Sequence, residues 1–544
     1  MNAAQLLVRC LEAEGVKYVF GLPGEEVMHV LDALADSSIT FIPTRHEAGA
    51  AFMADVYGRL TGRAGVCLAT LGPGATNLAT GVADANLDRS PLVAITGQTS
   101  LDVIHEESHQ YIDLSTMFRP ITKWSVQVER AETVPEVVRK AFRVAEMERP
   151  GAAYISLPEN VAAMEVAGSP MRPTPIEYAL PRSEDVLRAS SLIAQARSPI
   201  IIAGNGVLRR NASRELQVLA EAIHVPVAET FMGKGALDYR HHLSLMPVGL
   251  QARDWIMCGL DRADLVIAVG YDMVEYAPRF WNPNQDKAII HLDSCPAEVQ
   301  DHYVPQVEIV ADLREGLLAL AGACHGINPF PYHTALRDMI RKELADCQSD
   351  DSFPVKPQRL VADLREALGD EDILVSDVGA HKLWLARMYP TACPNTILIS
   401  NGFAAMGIAV PGAIAAKLVN PNRKVVAVAG DGSFLMTASE LETAKRIGTP
   451  FVTVVWVDGA YGLIEWKQQN AFGRSFGVSF GNPDFVTYAQ AFGLPGFRVE
   501  RASDFLPTLR RALDLPEPSV IEVAVDYSEN LRLTERLGRL TCTI

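Results

Sequence analysis

Residues 424–461 read KVVAVAGDGSFLMTASELETAKRIGTPFVTVVWVDGAY, and this stretch decides the fold class of the chain. The run 425–429 is continuously apolar, as expected of a parallel strand that is covered on both faces. Apolar residues at helical spacing predict a helix over 437–447. A second apolar run at 451–457 predicts the next buried strand. Together these patterns predict one βαβ unit of a parallel sheet.

Asp431 and Asp458 each follow one of these strands, and Asp431 stands between two glycines. Ligands of an open parallel sheet bind at the carboxyl ends of its strands. Two carboxylates beside glycines that expose the backbone suit a hard divalent cation such as Mg²⁺ that binds a phosphate, because this ion prefers oxygen ligands. The alternative is that each aspartate only caps or turns the end of its strand, and spacing alone leaves both interpretations open.

The composition indicates a multidomain enzyme. A chain of 544 residues predicts about three domains, and 48% hydrophobic with 21% charged residues is typical of a globular enzyme. The formal net charge is −16 and Lys and Arg form no cluster. Because nucleic-acid binding requires clustered positive charge, we expect no nucleic-acid partner.

The remaining composition signals indicate a cytoplasmic location. Eight cysteines are scattered without CxxC or zinc spacing, which predicts a reduced chain. The N-terminus is typical of an amphipathic helix and not of a signal peptide. The most apolar run, 402–416, is shorter than the about 18 residues that a membrane span needs, and it contains Pro411. We therefore expect no membrane partner.

Strands and helices alternate along three segments that two linkers separate. The first linker is a Pro-rich stretch near 165–185, and the second is a polar stretch at 346–357. The sequence thus predicts an α/β fold of three doubly wound parallel-sheet domains, at 1–170, 185–335 and 356–544. The strands predicted for the middle domain lie at 199–203, 265–269, 288–292 and 307–310.

Two glycine turns partly match the dinucleotide fingerprint. They lie at 72–77 and 204–209, and Asn77 and Arg209 stand where the third glycine of the fingerprint belongs. A dinucleotide site at either turn is therefore disfavoured.

The Gly-Asp-Gly turn, followed by an acidic or amide residue after the next strand, resembles the metal–diphosphate signature of thiamine-diphosphate (ThDP) enzymes. The resemblance implies that Asp431 and Asp458 ligate Mg²⁺ together with the carbonyl of Ala460. It also implies that Gly432 and Ser433 bind the diphosphate. The family usually has Asn where this chain has Asp458, and this departure resembles the catabolic acetolactate synthase branch. The same resemblance adds Gly430, Tyr461 and Ile464 to the residues expected to bind the cofactor.

A helix beginning near residue 45, RHEAGAAFMADVYGRLTG, resembles the family's glutamate-bearing helix. A carboxylate that hydrogen-bonds the aminopyrimidine ring makes its 4′-nitrogen basic enough to take the thiazolium proton. The resemblance implies this role for Glu47, whereas the alternative is a first-turn glutamate that only interacts with the helix dipole. Pro23, Asn77 and Gln110 resemble residues at the reacting end of the cofactor, and Gln110 is expected to be catalytic.

The run 400–407, SNGFAAMG, resembles the family segment that places a bulky residue beneath the cofactor. The resemblance implies that Met406 forces the bent conformer needed for catalysis, and that the Ala404 carbonyl and the Met406 amide bond the aminopyrimidine. The alternative for Met406 is an ordinary core methionine. His381 is expected to reach the diphosphate, with a surface or capping role as its alternative.

Because the resemblance covers the whole chain, it implies pyrimidine-binding, middle and diphosphate-binding domains in that order. In this family the cofactor lies between the first domain of one subunit and the third domain of another. The chain is therefore expected to be at least a homodimer, and a homotetramer is the expected assembly.

The residue at position 464, an isoleucine, suggests which reaction the chain catalyses. Simple decarboxylases of the family have a His-His pair in the first domain and a glutamate at the place of Ile464. Glu465 is adjacent, but the next residue of a helix points about 100° away. An apolar residue suits a synthase, whose enamine must be kept from protons until a second 2-oxo acid arrives. We therefore expect a catabolic-type acetolactate synthase that converts two pyruvates to 2-acetolactate and CO₂.

Besides a non-enzymatic nucleotide sensor in the middle domain or a pure scaffold, two other functions remain open at this point. A related 2-oxo acid decarboxylase or carboligase with a different acceptor is one, because residues 403–405 depart from the polar string of catabolic relatives. The other is an FAD-containing biosynthetic subunit with a regulatory partner, which residues 231–235 resemble. Residues 270–276 lack the Arg-bearing loop of that group, so FAD is not expected.

Overall fold

A computed structural model describes residues 1–248, 255–324, 332–345 and 350–530. The segments 325–331 and 531–544, which the sequence analysis includes in the middle and third domains, lie outside the described residues.

The first part of the chain contains a six-stranded sheet and seven α-helices. Its strands are β1 (Tyr18–Gly21), β2 (Thr40–Pro43), β3 (Gly65–Ala69), β4 (Leu92–Gln98), β5 (Trp124–Gln127) and β6 (Ala152–Pro158). Its helices are α1 (Ala3–Ala13), α2 (Met28–Ala35), α3 (Glu47–Thr61), α4 (Pro73–Leu87), α5 (Leu114–Phe118), α6 (Val134–Glu146) and α7 (Glu159–Ala163).

The middle part contains a second six-stranded sheet. Its strands are β7 (Pro199–Ala203), β8 (Val227–Glu229), β9 (Ser244–Pro247), β10 (Leu265–Val269), β11 (Ala288–Asp293) and β12 (Val307–Val310). Its helices are α8 (Ser183–Gln195), α9 (Asn205–Arg209), α10 (Ser213–Ile223), α11 (Trp255–Arg262), α12 (Leu313–Ala323) and α13 (Tyr332–Ala345).

The last part contains the third six-stranded sheet. Its strands are β13 (Ile373–Ser376), β14 (Ile397–Ile399), β15 (Val425–Gly430), β16 (Val452–Val457), β17 (Gly496–Val499) and β18 (Ser519–Ala524). Its helices are α14 (Pro357–Ala367), α15 (Ala380–Met388), α16 (Ala409–Val419), α17 (Asp431–Thr437), α18 (Glu440–Ile447), α19 (Gly462–Phe472), α20 (Phe485–Ala491) and α21 (Ala502–Leu513).

All three sheets are parallel, and the first and third have the same strand order. The first sheet runs β2-β1-β3-β4-β6-β5 and the third runs β14-β13-β15-β16-β18-β17. The middle sheet runs β12-β11-β10-β7-β8-β9, the doubly wound order of dinucleotide-binding folds. The predicted α/β class with three doubly wound sheets is confirmed. The sequence analysis does not predict the middle strands β8 and β9, which are three and four residues long.

The unit around β15 differs from its prediction in one respect. The helix predicted over 437–447 is α18, which begins at Glu440, and it is preceded by a separate helix, α17, that the sequence analysis does not predict. An acidic first residue favours an earlier start, because it interacts well with the positive end of the helix dipole. Ala438 and Ser439 between them retain right-handed helical dihedral angles, so the chain direction changes little.

The first and third sheets share one apolar core within a single chain. This core includes Phe52 and Val56 on α3 together with Val410 and Ile414 on α16. The two helices approach closely because residue 412 is glycine, where a Cβ would lie 3.0 Å from Cγ2 of Val56. The first and third parts of one chain are therefore packed together by apolar burial.

The cysteines agree only partly with the expectation of a reduced chain. Five are free thiols, namely Cys10, Cys67, Cys295, Cys324 and Cys393. Cys258 on α11 is disulfide-bonded, so the expectation is wrong for that residue. Its chain position alone contains no CxxC signal, because a disulfide depends on which side chains the fold brings together. Among the described helices, none is long and apolar enough to cross a membrane.

The crossing of α3 and α4 gives a stability test. A Cβ at Gly81 would lie 2.5 Å from the Cβ of Ala51, so Gly81→Val forces the two helices apart. We expect the free energy of unfolding to fall by about 3 kcal/mol, the upper range for overpacking a core. The measurement is denaturant unfolding followed by circular dichroism. Gly322→Ala is the matched control, since no atom lies within 4 Å of its added Cβ. Equal stability of Gly81→Val and wild type would contradict the described crossing.

Candidate active site

A cavity of about 250 Å³ lies at the carboxyl ends of β13 and β15, and we call it the third-domain cavity. Strand order reverses between these two neighbours, so this is the topological switch point where parallel sheets bind ligands. The cavity is lined by Val378, Gly379, Ala380, His381, Ala404, Met406, Gly430, Asp431, Gly432, Ser433, Asp458, Ala460, Tyr461, Gly462, Leu463, Ile464 and Tyr527. Every residue that the sequence analysis assigns to the third domain therefore lies on one cavity wall.

The Asp431 carboxylate joins the ends of the two central strands of this sheet. Its Oδ1 accepts from the Gly432 amide at 2.8 Å, and its Oδ2 accepts from the Gly459 amide at 2.8 Å and the Asp458 amide at 3.2 Å. The side-chain amide of Asn482 donates to the same Oδ2 at 2.8 Å. These bonds fix the orientation of a carboxylate that is almost fully buried.

The second carboxylate, Asp458, lies within the electrostatic reach of the first. Burial, followed by the charge of Asp431, raises the pKa of Asp458 to about 7. Two buried carboxylates side by side disfavour ionisation of both, unless a cation lies between or beside them. Across the described residues, no group of three or more His, Cys, Asp or Glu side chains forms a metal site. A cation here would therefore need backbone and ligand oxygens besides the two aspartates.

The segment after Asp458 is fixed by a short antiparallel bridge. Ala460 pairs with Ser479, and the Tyr461 amide donates to the Val478 carbonyl at 2.9 Å. The Tyr461 ring packs on Phe480 with the ring centroids 4.9 Å apart. A Cβ at Gly432 would lie 2.9 Å from the Tyr461 ring, so only glycine fits beneath it.

His381 contributes a buried nitrogen to the cavity wall. Burial lowers the pKa of His381 to about 3, so its ring is neutral at physiological pH. Its Nε2 is buried without a hydrogen-bond partner among the described residues. A buried polar atom without a partner is costly, which is a reason to expect a polar ligand beside it. The ring lies next to Gly430, where a Cβ would be 3.3 Å from Nδ1.

The segment that carries Ala404 and Met406 adopts an unusual backbone conformation. Ala404 has φ +59°, in the left-handed region that costs a non-glycine residue about 1 kcal/mol or more. The Asp377 carboxylate accepts from the amides of Gly407 and Ala409 at 2.8 and 3.0 Å. In the described part of the chain, no hydrogen bond reaches the Ala404 carbonyl or the Met406 amide. Both groups are therefore available to a ligand in the cavity.

The predicted first-domain residues form a second cluster at the carboxyl edge of the first sheet. Glu47 is the buried first residue of α3, and its Oε2 accepts from the Asn77 side-chain amide at 3.0 Å. Gln110 packs over Gly72, where a Cβ would lie 2.6 Å from the Gln110 carbonyl oxygen. Pro23 is exposed in the turn after β1. These residues follow β1 to β4, around the switch point of this sheet.

The structure of one chain does not join the two clusters into one pocket. Among the described residues, Glu47, Asn77, Gln110 and Pro23 are not part of the lining of the third-domain cavity. The start of α3 is instead fixed by the buried carboxylate of Glu440, which accepts from the amides of residues 45 and 46 at 3.0 Å.

Position 464 has the geometry expected from the sequence. Ile464 lines the cavity, whereas the Glu465 carboxylate accepts from the Ser475 hydroxyl at 3.2 Å and lies outside the lining. His241 and His242 are neighbours with ring centroids 4.5 Å apart, but they lie in the middle part, where His241 contacts Glu221.

Three further residues at this sheet edge are given no role by the sequence reasoning, and Tyr527 is the one of the three that lines the cavity. Asn482, Tyr527 and Asp377 approach the site from segments far from the Gly-Asp-Gly turn in sequence. Asp377 had a usable signal, since it directly follows a buried strand of the same sheet. Asn482 and Tyr527 had none, because their place depends on how loops return to the sheet edge.

Three family models match successive parts of the chain. They are described as thiamine pyrophosphate enzyme, N-terminal TPP binding domain (residues 1–117), central domain (186–320) and C-terminal TPP binding domain (377–523).

Known proteins are similar over nearly the whole length. The chain is 40% identical to a catabolic acetolactate synthase of Raoultella terrigena over 547 residues, which covers 98% of this chain and 97% of that protein. It is 36% identical to an acetolactate synthase of Bacillus subtilis, with coverage of 98% and 94%. It is also 36% identical to a probable acetolactate synthase large subunit of Methanocaldococcus jannaschii, with coverage of 99% and 95%. The chain therefore belongs to the thiamine-diphosphate-dependent enzymes, in the acetolactate synthase family.

Proposed function

We propose that the chain is a catabolic-type acetolactate synthase, which converts two pyruvates to 2-acetolactate and CO₂. The observation that carries this proposal is the third-domain cavity, which is lined by Asp431, Asp458 and His381 together with the apolar side chain of Ile464. Similarity to the Raoultella terrigena protein supports the catabolic type. The acidic group of simple decarboxylases is replaced by the Ile464 side chain, so the wall supplies no proton donor at that position.

The residues of the cavity suit ThDP with Mg²⁺. Asp431, Asp458 and the Ala460 carbonyl would ligate the ion, and its charge would relieve the repulsion that raises the pKa of Asp458. The diphosphate would lie against Gly430, Gly432, Ser433, Tyr461 and the unpartnered His381 Nε2. When bound, ThDP supplies the electron sink that lets a 2-oxo acid lose CO₂ and donate its acyl carbon.

The other end of the cofactor would be bound by two copies of the chain. The Ala404 carbonyl and the Met406 amide of one copy would bond the aminopyrimidine, and the Met406 side chain would support its bent shape. Glu47 of the other copy would accept a hydrogen bond from the ring, and Asn77, which donates to Glu47, would orient that carboxylate. Gln110 would act at the reacting end, with Pro23 beside it. We therefore propose a homodimer as the smallest active unit and a homotetramer as the assembly.

We further propose that the three domains span 1–170, 185–335 and 356–544, and that the protein is cytoplasmic. FAD is proposed to be absent, although the middle sheet has a dinucleotide-binding strand order. In support, the place of the third fingerprint glycine is taken by Arg209, whose guanidinium donates to the Glu148 carboxylate at 3.1 Å. A purified protein with bound flavin would contradict this part of the proposal.

A decarboxylase or carboligase with another acceptor is the second candidate. The observation that favours it is Phe403, whose side chain is 46% exposed next to Ala404 of the cavity wall. A large apolar side chain at this place would favour a larger or more apolar acceptor than pyruvate.

Product analysis with pyruvate tests the two candidates. With ThDP and Mg²⁺ we expect acetolactate as the main product, measured by its acid conversion to acetoin. Chelation by EDTA should remove activity, and added Mg²⁺ should restore it, because the ion joins the diphosphate to the two aspartates. Formation of acetaldehyde alone would contradict the synthase proposal, and a faster reaction with a longer 2-oxo acid would favour the second candidate.

Glu47→Gln tests the proposed catalytic carboxylate. The amide has the same size but accepts hydrogen bonds more weakly and cannot stay ionised, so kcat is expected to fall about 10²- to 10⁴-fold. Binding of ThDP, measured by fluorescence quenching, should change little. Glu442→Gln is the matched control, since the Glu442 carboxylate pairs with the partly exposed Arg446 on α18. Wild-type kcat in Glu47→Gln would contradict the assignment.

Substitution of Ile464 tests the role of the apolar wall. Ile464→Glu places an acid on the cavity wall, and the fraction of pyruvate released as acetaldehyde is expected to rise several-fold because the donor protonates the reacting carbon. Ile464→Gln has nearly the same shape without the acid and should keep the wild-type ratio of products. An identical product ratio in the two variants would show that the acid at this position does not decide the outcome.

A further inference from the structure

The segment that carries Ala404 and Met406 is fixed largely by side chains of the first domain of the same chain. We call residues 399–407 the cofactor turn. The Asp84 Oδ1 on α4 accepts from the Ser400 hydroxyl at 2.7 Å and from the Ala405 amide at 3.0 Å. These two bonds bracket Ala404, the residue with the left-handed backbone.

Asp88, which lies four residues after Asp84, binds a second part of the cofactor turn. Asp88 accepts from the Asn401 amide at 3.1 Å and from the Gly402 amide. A Cβ at Gly402 would lie 2.6 Å from Asp88 Oδ1, so the backbone approaches the carboxylate where no side chain fits. The turn therefore docks into α4 through its backbone.

Both aspartates belong to a buried ion cluster around Arg59. The Arg59 guanidinium contacts Asp55, Asp84 and Asp88 at 2.8, 3.3 and 2.8 Å, and the three carboxylates are fully buried. Arg59 also donates to the carbonyl of Ile399 at 3.0 Å, at the start of the cofactor turn. A buried ion cluster of this kind contributes little net stability.

Lys382, a residue of the third domain itself, also binds the cofactor turn. Its Nζ donates to the Ser400 carbonyl at 3.1 Å and to the Asn401 side chain at 3.2 Å, and its charge lies near Asp84 and Asp88. Several backbone groups of the turn are thus bonded to residues outside it, while the Ala404 carbonyl and the Met406 amide remain without partners in the described chain.

We propose that Asp84, together with Asp88, is a positioning residue that sets the backbone of the cofactor turn for ThDP binding in the third domain of its own chain. The inference rests on the proposed function of that turn. It follows that the first domain of each chain serves two cofactors. Glu47 acts in the site shared with the partner copy, whereas Asp84 shapes the wall of the chain's own cavity.

The test compares Asp84→Ala with Asp55→Ala in the full-length protein. Both remove one buried carboxylate from Arg59, but Asp55 has no contact with the cofactor turn among the described residues, so it is the matched control.

The measurements are the Kd for ThDP at saturating Mg²⁺, by tryptophan fluorescence, and the Tm of the cofactor-free protein. Loss of two charge-assisted hydrogen bonds is expected to raise the Kd about 10- to 100-fold in Asp84→Ala. Asp55→Ala should stay within about 3-fold of wild type.

Two milder variants cover the case in which Asp84→Ala does not fold. Asp84→Asn retains an acceptor oxygen and should recover part of the affinity. Ser400→Ala removes one hydrogen bond without changing any charge, and should raise the Kd about 3- to 10-fold at unchanged Tm. Wild-type Kd in Ser400→Ala and Asp84→Asn, or equal loss of affinity in Asp84→Ala and Asp55→Ala, would overturn the positioning role. If the positioning role were overturned in this way, the wild type would still be expected to produce acetolactate. A wild type that binds no ThDP would instead overturn the proposed function itself.

Discussion

The candidate site depends on one buried carboxylate that joins the ends of two neighbouring strands. Asp431 accepts from Gly432 on its own helix, from Asp458 and Gly459 after the next strand, and from Asn482 on a distant loop. Parallel strands end at the same edge, so one side chain there can reach several chain segments at once. This junction fixes the position of Asp458 and of the loop that begins there, and the rest of the cavity wall depends on it.

The same geometry occurs twice in the chain. The first and third sheets have the same strand order, and in each the candidate residues surround the switch point. The shared apolar core of α3 and α16 joins the two domains along their helices, so the two sheet edges of one chain do not form a common pocket. The two sets of candidate residues in one chain, here called half-sites, are thus separate, and the proposed homodimer would bring each of them to the complementary set of a second copy.

The helix α4 links these half-sites chemically. Near its start, Asn77 orients Glu47, while towards its end Asp84 and Asp88 contact the cofactor turn of the third domain. One helix therefore connects the carboxylate that we propose to be catalytic with the backbone that would receive the aminopyrimidine. Such coupling is a physical reason for the buried charges of this region, whose net contribution to stability is small.

The sequence by itself determined the fold class, and it predicted candidate residues for both half-sites. Continuous apolar runs report burial on both faces of a strand, and a residue that directly follows such a run must lie at the carboxyl edge. Asp431, Asp458 and Glu47 could therefore be placed from local pattern and resemblance alone. The three-residue strand β8 was not predicted.

Only the tertiary structure decided which side chains from distant segments complete the site. The contact between Asp84 and Ser400 joins residues 316 positions apart, and no local pattern encodes it. The same holds for Asn482 on Asp431 and for the disulfide at Cys258. Periodicity and motif spacing report local geometry, whereas these pairings depend on the packing of whole domains against one another.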